Sequence, residues 1–311
     1  MTKPKRRLSK KERAPHLFAP SVWPTWLLIG LAWLIVRLPL AWVSALGRGS
    51  GSLLYRVAPG RRKITLRNLE LCFPDLDETE RIELAKQTFK NIGSGTLELM
   101  IPWLNPGKSL MHRFSIEGHT HLTNAVAQGR GVLLIGGHYA VMDIICAPLA
   151  RCGPIDVMYR FNKNPAWEWL QVKGRRRYFE GVIERQDTRQ VLRRLKKGRV
   201  VWYAPDQDYG RKHSVFAPFF GVNAATITAT ARFASLNNSP VLMFQHTRND
   251  ETGQWILKFH PVLADYPTGD EIADATRMNS MLESLIRETP AQYLWLHKRF
   301  KTRPEGEPSL Y

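Results

Sequence analysis

In the run Gly136-Gly137-His138-Tyr139-Ala140-Val141-Met142-Asp143, an imidazole and a carboxylate are separated by four residues, directly after the apolar stretch Val132-Leu133-Leu134-Ile135. Imidazole becomes an effective proton acceptor for a hydroxyl when a carboxylate fixes its tautomer and stabilises the imidazolium that forms. The nucleophile in such chemistry can be the substrate and need not be a protein group. On a straight helix five positions turn through roughly 500°, leaving the two side chains about 140° apart and off any common face. Pairing therefore requires His138 in a strand-to-helix turn and Asp143 in the first turn of the following helix, where a carboxylate also complements the N-terminal dipole. Taken alone, the spacing better fits a core histidine beside an ordinary first-turn acid. The rest of the chain tips the balance toward chemistry.

Two more segments place polar groups where a strand gives way to a turn. Trp202-Tyr203-Ala204-Pro205-Asp206-Gln207-Asp208-Tyr209-Gly210 carries the acids Asp206 and Asp208, at the kind of strand end where sites in α/β folds assemble. A turn rich in Pro, Asp and Gly accounts for the same residues without chemistry, and no His or Cys at metal-ligand spacing accompanies them, so no metal is expected. Tyr159-Arg160-Phe161-Asn162-Lys163-Asn164-Pro165 offers Arg160 and the Asn162 amide to a phosphate or an oxyanion. Asn164 and Pro165 in the same segment suit an N-cap and first helical position. Basic clusters at 173–177 and 193–199 read as solvated helix faces or as docking sites for anions. His213, His246, His260 and His297 have no acidic partner at useful spacing and read as structural.

These segments need a scaffold. Short apolar runs at 131–135, 155–159, 200–204, 240–245 and 255–259 read as strands, and helical patterns cover about 140–152, 164–177, 187–197, 224–237 and 270–287. Residues 77–101 read as a further helix, with Asp77 as N-cap and Glu80 completing a capping box. The expected class is α/β, a mixed sheet covered by helices, with an N-terminal membrane-associated helix. Over 311 residues, the chain divides into a basic tail (1–20), a membrane anchor segment (21–47) and one catalytic domain (48–311).

The anchor follows from local composition. Lys3 to Arg13 holds seven basic residues and one acid, and an apolar stretch from Trp26 continues past Arg37 and Pro39 to Leu46, about the ~20 residues that span a bilayer. The interruptions leave an interfacial or re-entrant segment open, and Trp23, Trp26, Trp33 and Trp42 suit a headgroup boundary. A net charge of +18 points to anionic partners. Three cysteines at irregular spacing fit a reducing compartment rather than a disulfide framework. No nucleic-acid motif accompanies the charge, which weighs against a basic binding protein without catalysis.

Set in order, these residues resemble the late acyltransferases of lipid A biosynthesis, within the wider His-x4-acid glycerolipid acyltransferase group. The similarity spans nearly the whole chain and includes Arg67-Asn68-Leu69-Glu70-Leu71-Cys72-Phe73-Pro74, the His138/Asp143 pair, the Arg160–Pro165 loop, the 203–210 turn and the tail from Gln292 to Pro304. The tail looks most like the lauroyl-type branch, in which the acid at position 143 is commonly Glu. The resemblance implies transfer of a fatty acyl chain, C12 most of all and C10–C16 in range, from acyl carrier protein to a hydroxyl of a hydroxyacyl chain on a Kdo-bearing lipid A precursor. His138 would then be the base and Asp143 its orienting acid. Arg160 and Asn162 would bind phosphate or oxyanion, and Asp206 and Asp208 would shape the site. It also implies no cofactor beyond the acyl donor. Its partners would be the carrier protein, the anionic glycolipid and membrane phospholipid, at the cytoplasmic side of a bacterial inner membrane. An acyltransferase for a lysophospholipid or another glycolipid would use the same catalytic pair.

Overall fold

The computed structural model describes residues 16–249 and 251–311; most of the basic tail, residues 1–15, lies outside them. Helices α1 (Trp23–Ile35), α2 (Leu40–Val57), α3 (Pro59–Cys72), α4 (Glu78–Glu98) and α5 (Ile101–Leu104) precede the first strand, β1 (Phe114–Glu117). Helices and strands then alternate: α6 (His119–Ala127), β2 (Val132–Gly136), α7 (Cys146–Arg151), β3 (Ile155–Tyr159), α8 (Pro165–Arg175), β4 (Val182–Glu184), α9 (Thr188–Lys196) and β5 (Val200–Tyr203). The hairpin β6 (Ser214–Phe219) and β7 (Val222–Ile227), α10 (Ala229–Asn237), β8 (Val241–Arg248), β9 (Trp255–Val262) and α11 (Glu271–Glu288) complete the chain.

Seven strands form one mixed sheet in the order β1-β9-β8-β2-β5-β3-β4, parallel throughout except between β8 and β9. Every residue of β2 and β5 is buried, which is why these strands read as unbroken apolar runs: both faces of a parallel sheet are covered. Leu133, Ile135, Val201 and Tyr203 face one core with residues of α3, α9, α10 and α11. Val132, Leu134, Val200 and Trp202 face the other, with residues of α2, α6 and α7. The expected α/β sheet with helices on both faces is the one observed. The Asp77 capping box on α4 and the Asn164 cap on α8 form as their residue types dictate.

Two expected helices are shorter than their apolar patterns. Residues 224–227 of the 224–237 stretch belong to β7, where Val222, Thr226 and Ile227 are β-branched and favour a strand. Phe220 and Gly221, both at positive φ, make its two-residue turn. Of 140–152, residues 140–142 are irregular, Asp143–Ile145 form a single 3-10 turn and only then does α7 begin.

The N-terminal segment departs most from expectation. Pro39 has no N–H and disfavours helix at the residue before it, so residues 21–47 divide into the end of a 3-10 turn, α1, a link over 36–39 and the first part of α2. At 13 residues α1 is about 20 Å long, short of a ~30 Å hydrocarbon core. Among the described residues no helix is long and apolar enough to cross a membrane. Helix α2 runs through residue 47 unbroken and packs on α4 at very close range: a Cβ on Gly51 would lie 2.1 Å from the Phe89 carbonyl oxygen. At that contact, Glu98 accepts hydrogen bonds from Ser44 (2.7 Å), Ser94 (2.7 Å) and Arg248 (2.5 Å).

Candidate active site

The register between the two central strands builds the site. On β2 and β5, Val132 lies opposite Val200 and Ile135 opposite Tyr203. His138 lies three residues past Ile135 and Asp206 three past Tyr203, so two neighbouring parallel strands release these side chains at the same level of the sheet. There the Nδ1 of His138 meets Asp206 Oδ1 at 2.5 Å, and the His138 backbone N–H donates to Asp206 Oδ2 at 2.8 Å. Because a carboxylate only accepts, Nδ1 carries the proton and Nε2 holds the lone pair. Among the described residues Nε2 has no protein partner, and the His138 side chain is 25% exposed while that of Asp206 is fully buried.

Electrostatics follow from that geometry. Burial opposes a charged imidazole, but the Asp206 charge and hydrogen bond outweigh it, raising the His138 pKa above its ordinary value; Arg175 opposes weakly. Burial also works against the Asp206 carboxylate, yet the His138 charge and its two hydrogen bonds, with one from Tyr293, hold it down to about 2.

Asp143 is the correction. Its carboxylate pairs not with His138 but with α8, where Arg175 grips it through Nε (2.6 Å) and Nη2 (2.8 Å), and Cys146 Sγ donates to it at 3.3 Å. Asp143 and Arg175 are both buried. With Asp143 taken up by Arg175, the carboxylate that meets the imidazole comes from the 203–210 turn.

The loop that carries His138 is clamped on three sides. Leu294 N–H donates to the His138 carbonyl at 2.9 Å and Ala140 N–H to that of Gln292 at 2.6 Å. The buried His246 Nδ1 bonds the Val141 carbonyl, and its burial lowers its pKa to about 4, so the ring is a neutral donor. From α4, Gly95 presses so near that a Cβ there would lie 2.0 Å from the Ala140 carbonyl oxygen. Side chains from the tail complete a narrow cavity beside His138, lined by Asn68, Asp206, Tyr293, Trp295 and Arg299.

The family model for bacterial lipid A biosynthesis acyltransferases matches residues 10–302. The chain belongs to that family. It is 40% identical to the lipid A biosynthesis lauroyltransferase of Escherichia coli K12, over 95% of this chain and 97% of that protein. Identity is 38% to the lipid A biosynthesis palmitoleoyltransferase of the same organism, over 94% and 95%. It falls to 26% for the lipid A biosynthesis myristoyltransferase, over 94% and 91%. The protein is thus an acyltransferase of lipid A biosynthesis.

Within this acyltransferase the remaining expected residues are spread around the pair. Asp208 is buried and tethers the tail: Oδ2 accepts from Thr302 N–H (2.8 Å), Oδ1 from Thr302 Oγ1 (2.9 Å), and its carbonyl accepts from Lys301 Nζ (2.9 Å). Arg160 follows β3 at the same edge of the sheet, exposed on the rim near enough to act on the Tyr209 phenol. The Asn162 side-chain oxygen instead accepts from the Asn164 N–H at 3.0 Å, a local turn bond. Tyr293 and Asn68 are the contributors that sequence reasoning missed; Arg175, read within a solvated or docking face, is instead buried on Asp143, and His246 is structural as read. Tyr293 and Asn68 lie in runs that carry the family resemblance, which was their only signal.

Proposed function

We propose that the enzyme transfers a fatty acyl chain, C12 in the first instance, from acyl carrier protein to a hydroxyl of a hydroxyacyl chain on a Kdo-bearing lipid A precursor, with His138 as general base and Asp206 as its orienting carboxylate. The observation that carries the assignment is the His138 Nδ1–Asp206 Oδ1 bond, which leaves Nε2 free to accept a proton. The acceptor hydroxyl gives its proton to Nε2 as its oxygen attacks the thioester carbonyl. Collapse of the tetrahedral intermediate breaks the C–S bond, and the imidazolium returns the proton to the departing thiolate. An activated thioester requires no covalent acyl-enzyme.

Asp143 acts through structure, holding the 3-10 turn after the His138 loop against α8 by its bidentate pair with Arg175. Arg160, exposed on the rim, suits an acceptor phosphate better than a buried oxyanion. The 40% identity to a lauroyltransferase favours C12, and the 38% identity to a palmitoleoyltransferase leaves C16 within range.

The enzyme works at a bacterial inner membrane, on its cytoplasmic side, held there by the outer face of α1 and α2. Trp23, Leu27, Leu28, Leu31 and Leu34 on α1 are exposed. So are Trp42, Leu46, Leu53 and Val57, which line one side of α2 at helical spacing, away from the face buried on α4. Such an apolar surface with aromatic and basic neighbours suits insertion into one leaflet. The test is acyl transfer from carrier-bound C10 to C16 chains to the Kdo-bearing precursor, comparing wild type with His138→Ala and Asp206→Asn. Transfer to a lysophospholipid in place of the precursor would overturn the acceptor assignment. Full activity in His138→Ala would overturn the base.

A further inference from the structure

On the far side of α3 from His138 lies an open groove of about 1190 Å³. Its floor is apolar, with Ile64, Leu66, Ile82 and Leu310, and its rim carries Arg61, Arg62, Lys63, Arg67, Arg81 and Lys298 against two acids, Glu70 and Glu78. Glu70 pairs with Arg67 at 2.7 Å. Among the described residues the other five cations have no carboxylate partner. We propose that this groove is where the acidic protein carrying the acyl thioester docks, an inference that rests on the donor reading above.

Four observations favour that occupant. The cations come from three separate elements, α3, the start of α4 and the tail, so they meet an extended acidic surface rather than converge on one phosphate. The apolar floor offers a buried anchor at the centre of a charged rim, the anatomy of a protein interface. Like charge excludes two alternatives, the chain's own basic segment Lys3–Arg13 and a second copy placed groove to groove. Finally, α3 is shared with the active site. Asn68, on its buried side, donates to the Trp295 and His297 carbonyls at 2.7 Å each and lines the cavity beside His138. A carrier seated in the groove therefore lies about one helix diameter, 10–12 Å, from the base's own cavity, within reach of a flexible thioester arm.

The experiment compares two donors, lauroyl–acyl carrier protein and lauroyl-pantetheine, which has the same thioester without the protein. The variants are Lys63→Glu, Lys298→Glu and the double, at exposed positions outside the catalytic machinery. The double variant is expected to raise KM for the carrier-bound donor roughly tenfold and to flatten its salt dependence, with kcat and the lauroyl-pantetheine kinetics unchanged. An unchanged carrier KM overturns the site. So does a rise confined to the KM for acceptor lipid, which would make the groove a lipid site. A wild type that gains nothing from the carrier protein fails the donor reading itself, and that result is read before any variant is compared.

Discussion

At the scale of single residues, the proposed mechanism turns on which carboxylate His138 meets. The Asp206 bond raises the His138 pKa, and base catalysis needs the neutral ring. The acidic limb of kcat/KM should therefore fall above the ~6.5 of free imidazole. Asp206→Asn removes both the opposing charge and the charged hydrogen bond, leaving burial to dominate. The limb should then move to lower pH, while kcat at neutral pH drops by roughly 10²–10⁴. An unmoved limb in a pH–rate profile would show that Asp206 does not set this titration. The sign for stability is opposite on the two partners. The His138 contribution is fully present below about 6.5 and is lost as pH rises through the raised value. That of Asp206 is present above its ordinary ~3.9 and is lost as pH falls toward about 2. The pair thus stabilises most between about pH 4 and 6.5, which denaturant melts of wild type and Asp206→Asn across that range would detect. Asp143→Asn should behave differently: breaking its buried pair with Arg175 costs about 3–5 kcal/mol, and the loss appears in the melting temperature before it appears in the position of the acid limb.

At the scale of elements, the His138 loop is held by backbone contacts that side-chain chemistry cannot replace. Gly95→Ala puts a methyl into the Ala140 carbonyl, and α4 cannot retreat because α2 is packed against it with comparable closeness at Gly51. Overpacking of this kind costs about 1–3 kcal/mol, and the displaced loop should reduce kcat more than it alters KM. A kcat equal to wild type in single-turnover assays would show that α4 does not position the loop. Glu98 and Arg248 support the same loop from further away: Arg248 and Gln292 exchange hydrogen bonds of 2.8 and 2.6 Å, and Gln292 accepts from Ala140. The two central strands, by contrast, were legible before the structure. Their unbroken apolar runs could only be buried parallel strands or short buried helices, and their flanking turns argued for strands. Residues 224–227 were not legible in the same way, because small apolar residues serve a hairpin and a helix alike until the Phe220-Gly221 turn is seen, whereas 229–237 form the expected helix.

For the whole molecule, two surfaces of different character lie outside the proposed catalytic site. An exposed apolar face on α1 and α2 suits a lipid leaflet, and the cationic groove beyond α3 suits an acidic protein. Leu27 and Leu31 are exposed and buttress nothing in the core. Leu27→Glu with Leu31→Glu should therefore leave the unfolding free energy within about 0.5 kcal/mol of wild type while sharply reducing cosedimentation with vesicles of anionic phospholipid. Retention of vesicle binding by the double variant would place membrane contact elsewhere. Activity on detergent-dispersed acceptor should survive, since neither side chain approaches the His138 cavity.

The sequence by itself determined the α/β class, the two central strands, the helix caps at Asp77 and Asn164, the family, and His138 as the residue to test first. Each of these depends on neighbours within a few positions or on an ordered set of motifs. Only the tertiary structure decided the partner of His138. That partner is 68 residues away, and choosing Asp206 over Asp143 required knowing that β2 and β5 are adjacent, parallel and in the register that sets Ile135 opposite Tyr203. Strand order is a property of packing between distant segments, which local spacing does not encode. The same holds for the N-terminus: its apolar composition was plain, but Pro39 and the close seating of α2 on α4 turned a candidate span into two helices, one of them part of the catalytic body.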